Sequence, residues 1–232
     1  RMAEHKDIYA RQPENYHLMV MAEDYQKNLP KALQEIVPLF NKDILDMGAG
    51  TGRVTQIAAP LARNLAATDL SPAMLRYARM EMGSLGYYNI DWALADHRRL
   101  PFRQRSFDLI LSGWSLCYLY SWDHKNWKRN LDIAFAGMRR VLKRSGIVIL
   151  LETFGTGETE PVFVPELEPY YQYLYALGFG VTWVRTDYAF KDEKTATSLV
   201  EPFFGKDMLK KLQVSKQQTI LPECTGIWHR GF

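Results

Sequence analysis

The sequence predicts an α/β protein built on a doubly wound, mostly parallel seven-stranded sheet. Helices are expected on both of its faces and an antiparallel strand at one edge. Three observations carry this. Short apolar strand signals alternate along the chain with segments of helical periodicity, the pattern of strand–helix–strand crossovers. One strand ends in a glycine-rich turn, "ILDMGAGTGRV" at 44–54, that opens a helix. The run "GIVILLETF" at 146–154 is apolar enough for a central parallel strand buried on both faces.

The elements follow in order. The N-terminal part, to about Val37, reads as helical and amphipathic. "DILDM" at 43–47 is a short buried strand, and 52–62 a helix that Pro60 ends or kinks. "NLAATD" at 64–69 is the second strand. Residues 71–85 form a helix with Pro72 suited to its first turn. Strands follow at 90–96 and 107–113. Trp127, Leu131, Phe135, Met138 and Leu142 recur at helical spacing, so 124–143 is a helix covering the sheet. After the strand at 146–154 come a helix near 166–177, a strand at 181–190, a helical stretch at 194–212 and a last strand in "CTGIWHRGF". The last two strands lack a crossover helix between them, which predicts an antiparallel edge pair.

Composition sets bounds. The 232 residues are 47% hydrophobic and carry a net charge of +3. That is enough for a sizeable core and too little charge to demand a nucleic-acid or membrane partner. The longest apolar stretch, 147–151, is too short to span a bilayer. The polar, charged start is not expected to be a signal peptide. Arg1, ahead of Met2, is expected to be left over from expression. Cys117 and Cys224 form neither a CxxC pair nor a disulfide framework, which fits a reducing, cytoplasmic compartment. His5, His17, His97, His124 and His229 show no metal-ligand spacing, and most read as surface or loop histidines.

The glycines at 48, 50 and 52 need a reason, because glycine weakens regular elements. A plain strand-to-helix turn would need one. Three alternate glycines after a strand point to a backbone that a nucleotide approaches closely, with helix N–H groups offered to it. A dinucleotide fingerprint, G-x-G-x-x-G, fails because its third glycine falls on Arg53.

The observed D-x-G-x-G-x-G, from Asp46 to Gly52, resembles the first motif of class I S-adenosylmethionine-dependent methyltransferases, whose fold is Rossmann-like. The likeness runs from Asp43 to about Leu150, and it extends to the broad group that includes quinone-biosynthesis methyltransferases. It implies S-adenosyl-L-methionine as cofactor, with Asp46, Gly48, Ala49, Gly50 and Gly52 around its binding turn. In "TDLSPAML" it implies that Asp69 accepts from the ribose hydroxyls while Leu70 and Met74 lie against adenine; Ser71 also reads as a helix cap. In "ALADHRRLPF" it implies that Asp96 accepts from the adenine amino group and the main chain of His97 meets a ring nitrogen. In "RQRSFDLILSGWSLCYL" the loop from Ser112 to Tyr120 leaves a central strand at its carboxyl end, where open α/β sheets bind ligands. "VLKRSGIVIL" resembles the family's helix, turn and fifth strand, with Gly146 as the turn. The implied arrangement is one domain over 1–232: lid helices at about 2–40, a cofactor core at about 41–154, and a C-terminal part at about 155–232 with a substrate-lid insert.

The implied chemistry is methyl transfer to a small-molecule acceptor at oxygen, nitrogen or carbon, with no fixed triad and no metal. Methyl transfer needs alignment above all. Candidates for the acceptor pocket are Tyr9, Tyr16 and Tyr25, the loop with Trp114, Cys117 and Tyr118, the "FGTGETEPVFVPELEPYY" segment, and 194–212. Trp114, Tyr118 and Trp122 recur every four residues and read as core packing ahead of a substrate wall. Tyr170, Tyr171, Tyr173 and Tyr175 suit an aromatic pocket or a packed helix equally. Arg53 suits the cofactor carboxylate or an exposed helix face equally. No [DNS]-P-P-[YF] follows the fourth strand and neither cysteine follows proline, which disfavours base or glutamine amide methylation and cytosine carbon-5 chemistry. A nicotinamide-dependent oxidoreductase and a non-catalytic cofactor-binding module are the alternatives.

Overall fold

The computed structural model describes residues 13–232. Tyr9, His5 and the charged start of the chain lie outside them. Two helices come first, α1 (Pro13–Ala22) and α2 (Asn28–Ile36). The Asp24 carboxylate holds the start of α2, accepting from the amides of Asn28 at 2.8 Å and Leu29 at 3.0 Å.

The body then alternates as predicted: β1 (Asp43–Met47), α3 (Arg53–Ala58), β2 (Asn64–Asp69), α4 (Pro72–Ser84), β3 (Ile90–Leu94), β4 (Phe107–Gly113), α5 (Tyr118–Ser121), α6 (Trp127–Val141), β5 (Leu142–Thr156), α7 (Glu168–Ala176) and β6 (Gly180–Arg185). Beyond these lie β7 (Tyr188–Phe190), α8 (Glu193–Phe204), β8 (Gln213–Val214), β9 (Thr219–Leu221) and β10 (Glu223–Gly231). The main sheet has seven strands in the order β3-β2-β1-β4-β5-β10-β6. β1 to β5 are parallel, and β10 runs antiparallel to both β5 and β6, which gives the antiparallel pair at one edge. β7, β8 and β9 form a small separate sheet.

Alternation along the strands builds a core layer on each face. Ile110, Val148 and Leu150 join Leu131, Phe135 and Met138 of α6 on one face. Leu109, Ile149 and Leu151 join Leu29 and Leu33 of α2, Val54 of α3 and Met82 of α4 on the other. Truncating a fully buried member such as Leu131 to alanine would cost about 2–5 kcal/mol.

Several elements differ from the sequence expectation, among them the helical stretch expected at 194–212, which ends at Phe204. α3 stops at Ala58, ahead of Pro60, and β3 stops at Leu94. Gly146 is not a turn. β5 already begins at Leu142, and between the pairs Phe107–Leu142 and Leu109–Ile147 it bulges through 143–146. The strand expected at 181–190 is broken in two. At the break the Thr186 and Asp187 carbonyls accept from the amides of Asp24 and Tyr25, and the Asp187 carboxylate binds Arg185 and the Glu223 amide. Those tertiary bonds turn Tyr188–Phe190 away from the main sheet.

Candidate active site

The glycine turn joins β1 to α3. Gly48, Gly50 and Gly52 all have positive φ, at 86°, 55° and 99°. Their amides are not left free for a ligand. Those of Gly48 and Ala49 both donate to the Thr68 carbonyl at 2.8 Å, that of Gly50 to Asp69 Oδ2 at 2.9 Å, and that of Gly52 to the Ala49 carbonyl. Thr68 and Asp69 of β2 thus hold the first three of these amides, and the turn itself holds the fourth. What the glycines supply is bare backbone. A Cβ on Gly48 would stand 2.0 Å from Ser115 Oγ.

This bare backbone walls a cavity of about 530 Å³ at the carboxyl ends of the parallel strands. Asp69, Leu70, Met74, Asp96 and His97 line it with Gly48 and Gly50. Asp69 is already organised, its Oδ1 accepting from the Ser71 amide at 2.8 Å and its Oδ2 from Gly50. Two oxygens with about four acceptor sites leave room for two more donors. Burial raises its pKa. Asp96 is gripped by Arg98 through the amide, Nε and Nη2, and this pairing holds it down at about 2. His97 is a half-buried wall residue and not a surface histidine. Its Nε2 pairs with Ser115 Oγ at 2.8 Å, and burial lowers it to about 4, so the ring is neutral.

Three candidates lie behind the wall. Asp46 is fully buried beneath the turn, held through Oδ2 by Thr55, and burial lifts it to about 7. Ser112 donates to the Met47 carbonyl at 2.8 Å, tying β4 to β1. Gly52 faces Met82 and Ala78. None of the three lines the cavity. Ala49 lines only the neighbouring one.

A second cavity, of about 180 Å³, opens on the other side of Gly48, Gly50, Trp114 and Tyr118, which line both. Trp114, Tyr118 and Trp122 are therefore walls of these cavities, and of the three Trp114 also packs against the core, as the packing expectation has it. Trp114 has φ +47°, a left-handed residue ahead of α5, so the three never share one helix face. Tyr118 and Trp122 stack with centroids 4.4 Å apart. Arg53 is not the exposed helix residue of one earlier expectation. Its side chain is mostly buried, paired through Nη1 with Glu23 and lying 3.6 Å over the Trp114 ring. Tyr170 and Tyr171 are fully buried packing, and their hydroxyls donate to Glu152 Oε1 and the Thr153 carbonyl, each at 2.7 Å.

Three carboxylates reach the second cavity: Glu23, Glu152 and Glu223. Burial raises Glu152 to about 7; burial, then the charge of Glu23, raises Glu223 to about 8. Sequence reasoning missed all three. One signal was present, the single charge of Glu152 inside the apolar run "GIVILLETF". Among the described residues no His, Cys, Asp or Glu cluster is grouped to hold a metal ion, and no helix is long and apolar enough to cross a membrane.

Residues 45–150 match the methyltransferase domain family. Over these residues, somewhat less than half of its length, the chain is similar to class I S-adenosylmethionine-dependent methyltransferases. It is 29% identical over 150 residues to phosphoethanolamine N-methyltransferase 1 of Caenorhabditis elegans, covering 63% of this chain and 30% of that protein. It is 33% identical over 113 residues to the ubiquinone/menaquinone biosynthesis C-methyltransferase UbiE of Coxiella burnetii, covering 47% of this chain and 42% of that protein. The matches thus span less than half the length of either relative. The fold is shared with Haemonchus contortus phosphoethanolamine N-methyltransferase 1, solved with phosphoethanolamine and S-adenosylhomocysteine: TM-score 0.55, 18% identity, 94% of this chain and 47% of that one. The cofactor of this methyltransferase domain is S-adenosyl-L-methionine. The first cavity fits it: an organised carboxylate at Asp69, an apolar surface at Leu70 and Met74, and a cradle at Gly50 with no Cβ.

Proposed function

We propose that the chain transfers the methyl group of S-adenosyl-L-methionine to a small-molecule acceptor. The observation that supports this best is the pair of cavities sharing one wall, the larger with groups suited to an adenosyl ligand and the smaller closed by aromatic and carboxylate side chains. The cofactor supplies a methyl group already activated on a sulfonium. The chain's own residues hold and align. Asp69 accepts from the ribose hydroxyls with its remaining lone pairs, Leu70 and Met74 cover the adenine, and Asp96 and the His97 main chain recognise its edge. Gly48, Ala49 and Gly50 let the amino-acid tail pass between the cavities, while Asp46, Gly52 and Ser112 act indirectly by fixing the turn and β4. Trp114, held by Arg53, is the shared wall that sets the approach of acceptor to methyl group.

The lid role falls to two segments: α1, which brings Tyr16, Met19 and Glu23 to the second cavity, and α8, which brings Phe203 and Phe204. The small volume of that cavity supports a small molecule and not a nucleic acid as partner. Two buried free cysteines support a cytoplasmic location. Thermal shift with S-adenosylmethionine, S-adenosylhomocysteine and NAD in parallel tests the reading. A ligand at 100 times its Kd adds about 2.7 kcal/mol, or roughly 5–10 °C at this length. Stabilisation by NAD alone would overturn it.

A further inference from the structure

The second cavity gathers three buried carboxyl groups from distant parts of the chain. Glu23, Glu152 and Glu223 are 5%, 1% and 2% exposed, and each lines it. Each has one oxygen satisfied: Glu23 Oε2 by Arg53, Glu152 Oε1 by the Tyr170 hydroxyl at 2.7 Å, Glu223 Oε1 by the Thr153 hydroxyl at 2.8 Å. Each also has one with no hydrogen-bond partner among the described residues: Glu23 Oε1, Glu152 Oε2 and Glu223 Oε2. Buried polar atoms are normally satisfied, and a buried carboxylate oxygen without a donor is costly. Arg53 is the one basic residue lining this cavity; its Nη1 pairs with Glu23 and its guanidinium lies over the Trp114 ring, while its Nη2 has no hydrogen-bond partner among the described residues, one open donor site against three open oxygens.

From this geometry we propose that the methyl acceptor is an amine, held in the second cavity by the open oxygens of Glu23, Glu152 and Glu223; the proposal rests on the methyl-transfer reading and specifies its substrate. An ammonium offers three donors and no acceptor, the complement of three open carboxylate oxygens. Aromatic side chains, Trp114, Tyr118, Tyr188, Phe203 and Phe204 among them, line it together with aliphatic and hydroxyl groups. Aromatic faces attract a cation and cover the carbon skeleton that carries it. A carboxylate would add acceptors to a site where open acceptors already outnumber donors, and an alcohol has a single donor for three acceptors.

The chemistry balances without a further reactant. The amine must lose its extra proton before it can attack, and a carboxylate takes it. The nitrogen lone pair then forms the N–C bond to the methyl carbon while the C–S bond breaks, leaving its electron pair on sulfur. The methylated product is an ammonium again, and its proton passes to a carboxylate or to water. Burial holds Glu152 at about 7 and Glu223 at about 8, a range in which a carboxylate takes up and releases a proton near neutrality.

The test measures S-adenosylhomocysteine binding by calorimetry, and its release from S-adenosylmethionine with matched acceptors. These are phenethylamine, N-methylphenethylamine and ethanolamine against 2-phenylethanol and 3-phenylpropionate, each also assayed for binding at millimolar concentration. Release with an amine, and none with the alcohol or the acid, is the expected result. Glu152→Gln and Glu223→Gln should each lower kcat/KM for that amine by about 10- to 100-fold. Both variants should melt cooperatively and bind S-adenosylhomocysteine within about twofold of the parent. Turnover of the alcohol or acid in preference to the amines would overturn the proposal and leave methyl transfer standing. So would failure of every amine to bind, or a parallel loss of S-adenosylhomocysteine affinity in the Gln variants, which would assign the carboxylates to the cofactor. Failure of the parent to bind S-adenosylhomocysteine would overturn the methyl-transfer reading itself.

Discussion

Gly48→Ala is the sharpest perturbation of the turn. At φ +86° an L side chain carries a conformational cost of about 1–2 kcal/mol. The new Cβ would also stand 2.0 Å from Ser115 Oγ, 2.5 Å from Ser115 Cβ and 3.1 Å from His97 Cε1. Ser115 has to move, and it takes with it the 2.8 Å hydrogen bond to His97 Nε2. That bond is worth about 0.5–1.5 kcal/mol net. The total is about 1.5–3.5 kcal/mol, and at this chain length the melting temperature should fall by roughly 3–14 °C. Because Gly48, Ser115 and His97 all line the first cavity, S-adenosylhomocysteine should also bind more weakly. The control is Ser115→Gly. It removes the obstructing atoms but not the backbone cost, so the double variant should be more stable than the sum of the singles by about 1 kcal/mol. Scanning calorimetry and isothermal titration on the four proteins decide it. Wild-type melting and affinity in Gly48→Ala would refute the close-approach argument, and strict additivity would refute the clash.

Asp69→Ala should weaken S-adenosylhomocysteine binding by about 10- to 150-fold, the loss of charge-assisted bonds worth about 1.5–3 kcal/mol. Unchanged affinity would leave Asp69 only as an anchor for the Gly50 and Ser71 amides. Ser71→Ala removes the cap of α4, whose bond to the Met74 amide is long at 3.4 Å. The loss should sit near the low end of the usual range, about 0.5–1 kcal/mol, read as a melting shift of roughly 1–4 °C with binding unaffected. Glu152 links stability to pH. Its pKa rises from 4.5 in the unfolded chain to about 7 when folded, so the unfolded state binds fewer protons between those values. Stability contributed by its protonated form is complete below about 4.5 and falls by about 3 kcal/mol as pH rises through 7. Glu152→Gln should therefore flatten the melting profile across that window and melt above the parent at pH 8. An unchanged profile would refute the shift.

The sheet was legible where local signals were sufficient. β1, β2 and β4 occupy the ranges read from the sequence, because each is a short apolar run bounded by charged, asparagine or glycine residues. The onset of β5 was not legible, because "LKRSG" has no strand pattern of its own and pairs only through a bulge with β4. The break at Thr186 and Asp187 depends on hydrogen bonds to Asp24, Tyr25 and Glu223, partners no local window contains. The candidate site divides along the same line. The glycine turn, Asp69 and Asp96 belong to compact motifs and could be named in advance. Tyr118 and Trp122 were misread as one core stripe with Trp114 because helical spacing was assumed across a residue that adopts a left-handed conformation.

Glu23, Glu152 and Glu223 come from three distant parts of the chain. Only the topology unites them: β10 pairs beside β5, and α1 lies against α8 and β7, bringing Glu23 to the same cavity. Their cost tells why such a cluster persists. A buried, unpaired carboxylate opposes folding by several kcal/mol, and an amide or apolar residue in its place is commonly neutral or stabilising. Glu152 stands beside Tyr170 with an open oxygen in the smaller cavity, a costly placement that a donor bound there would offset. The Glu152→Gln variant separates the two effects in one protein, because greater stability above neutral pH together with lower turnover is the combination that a functional burial demands.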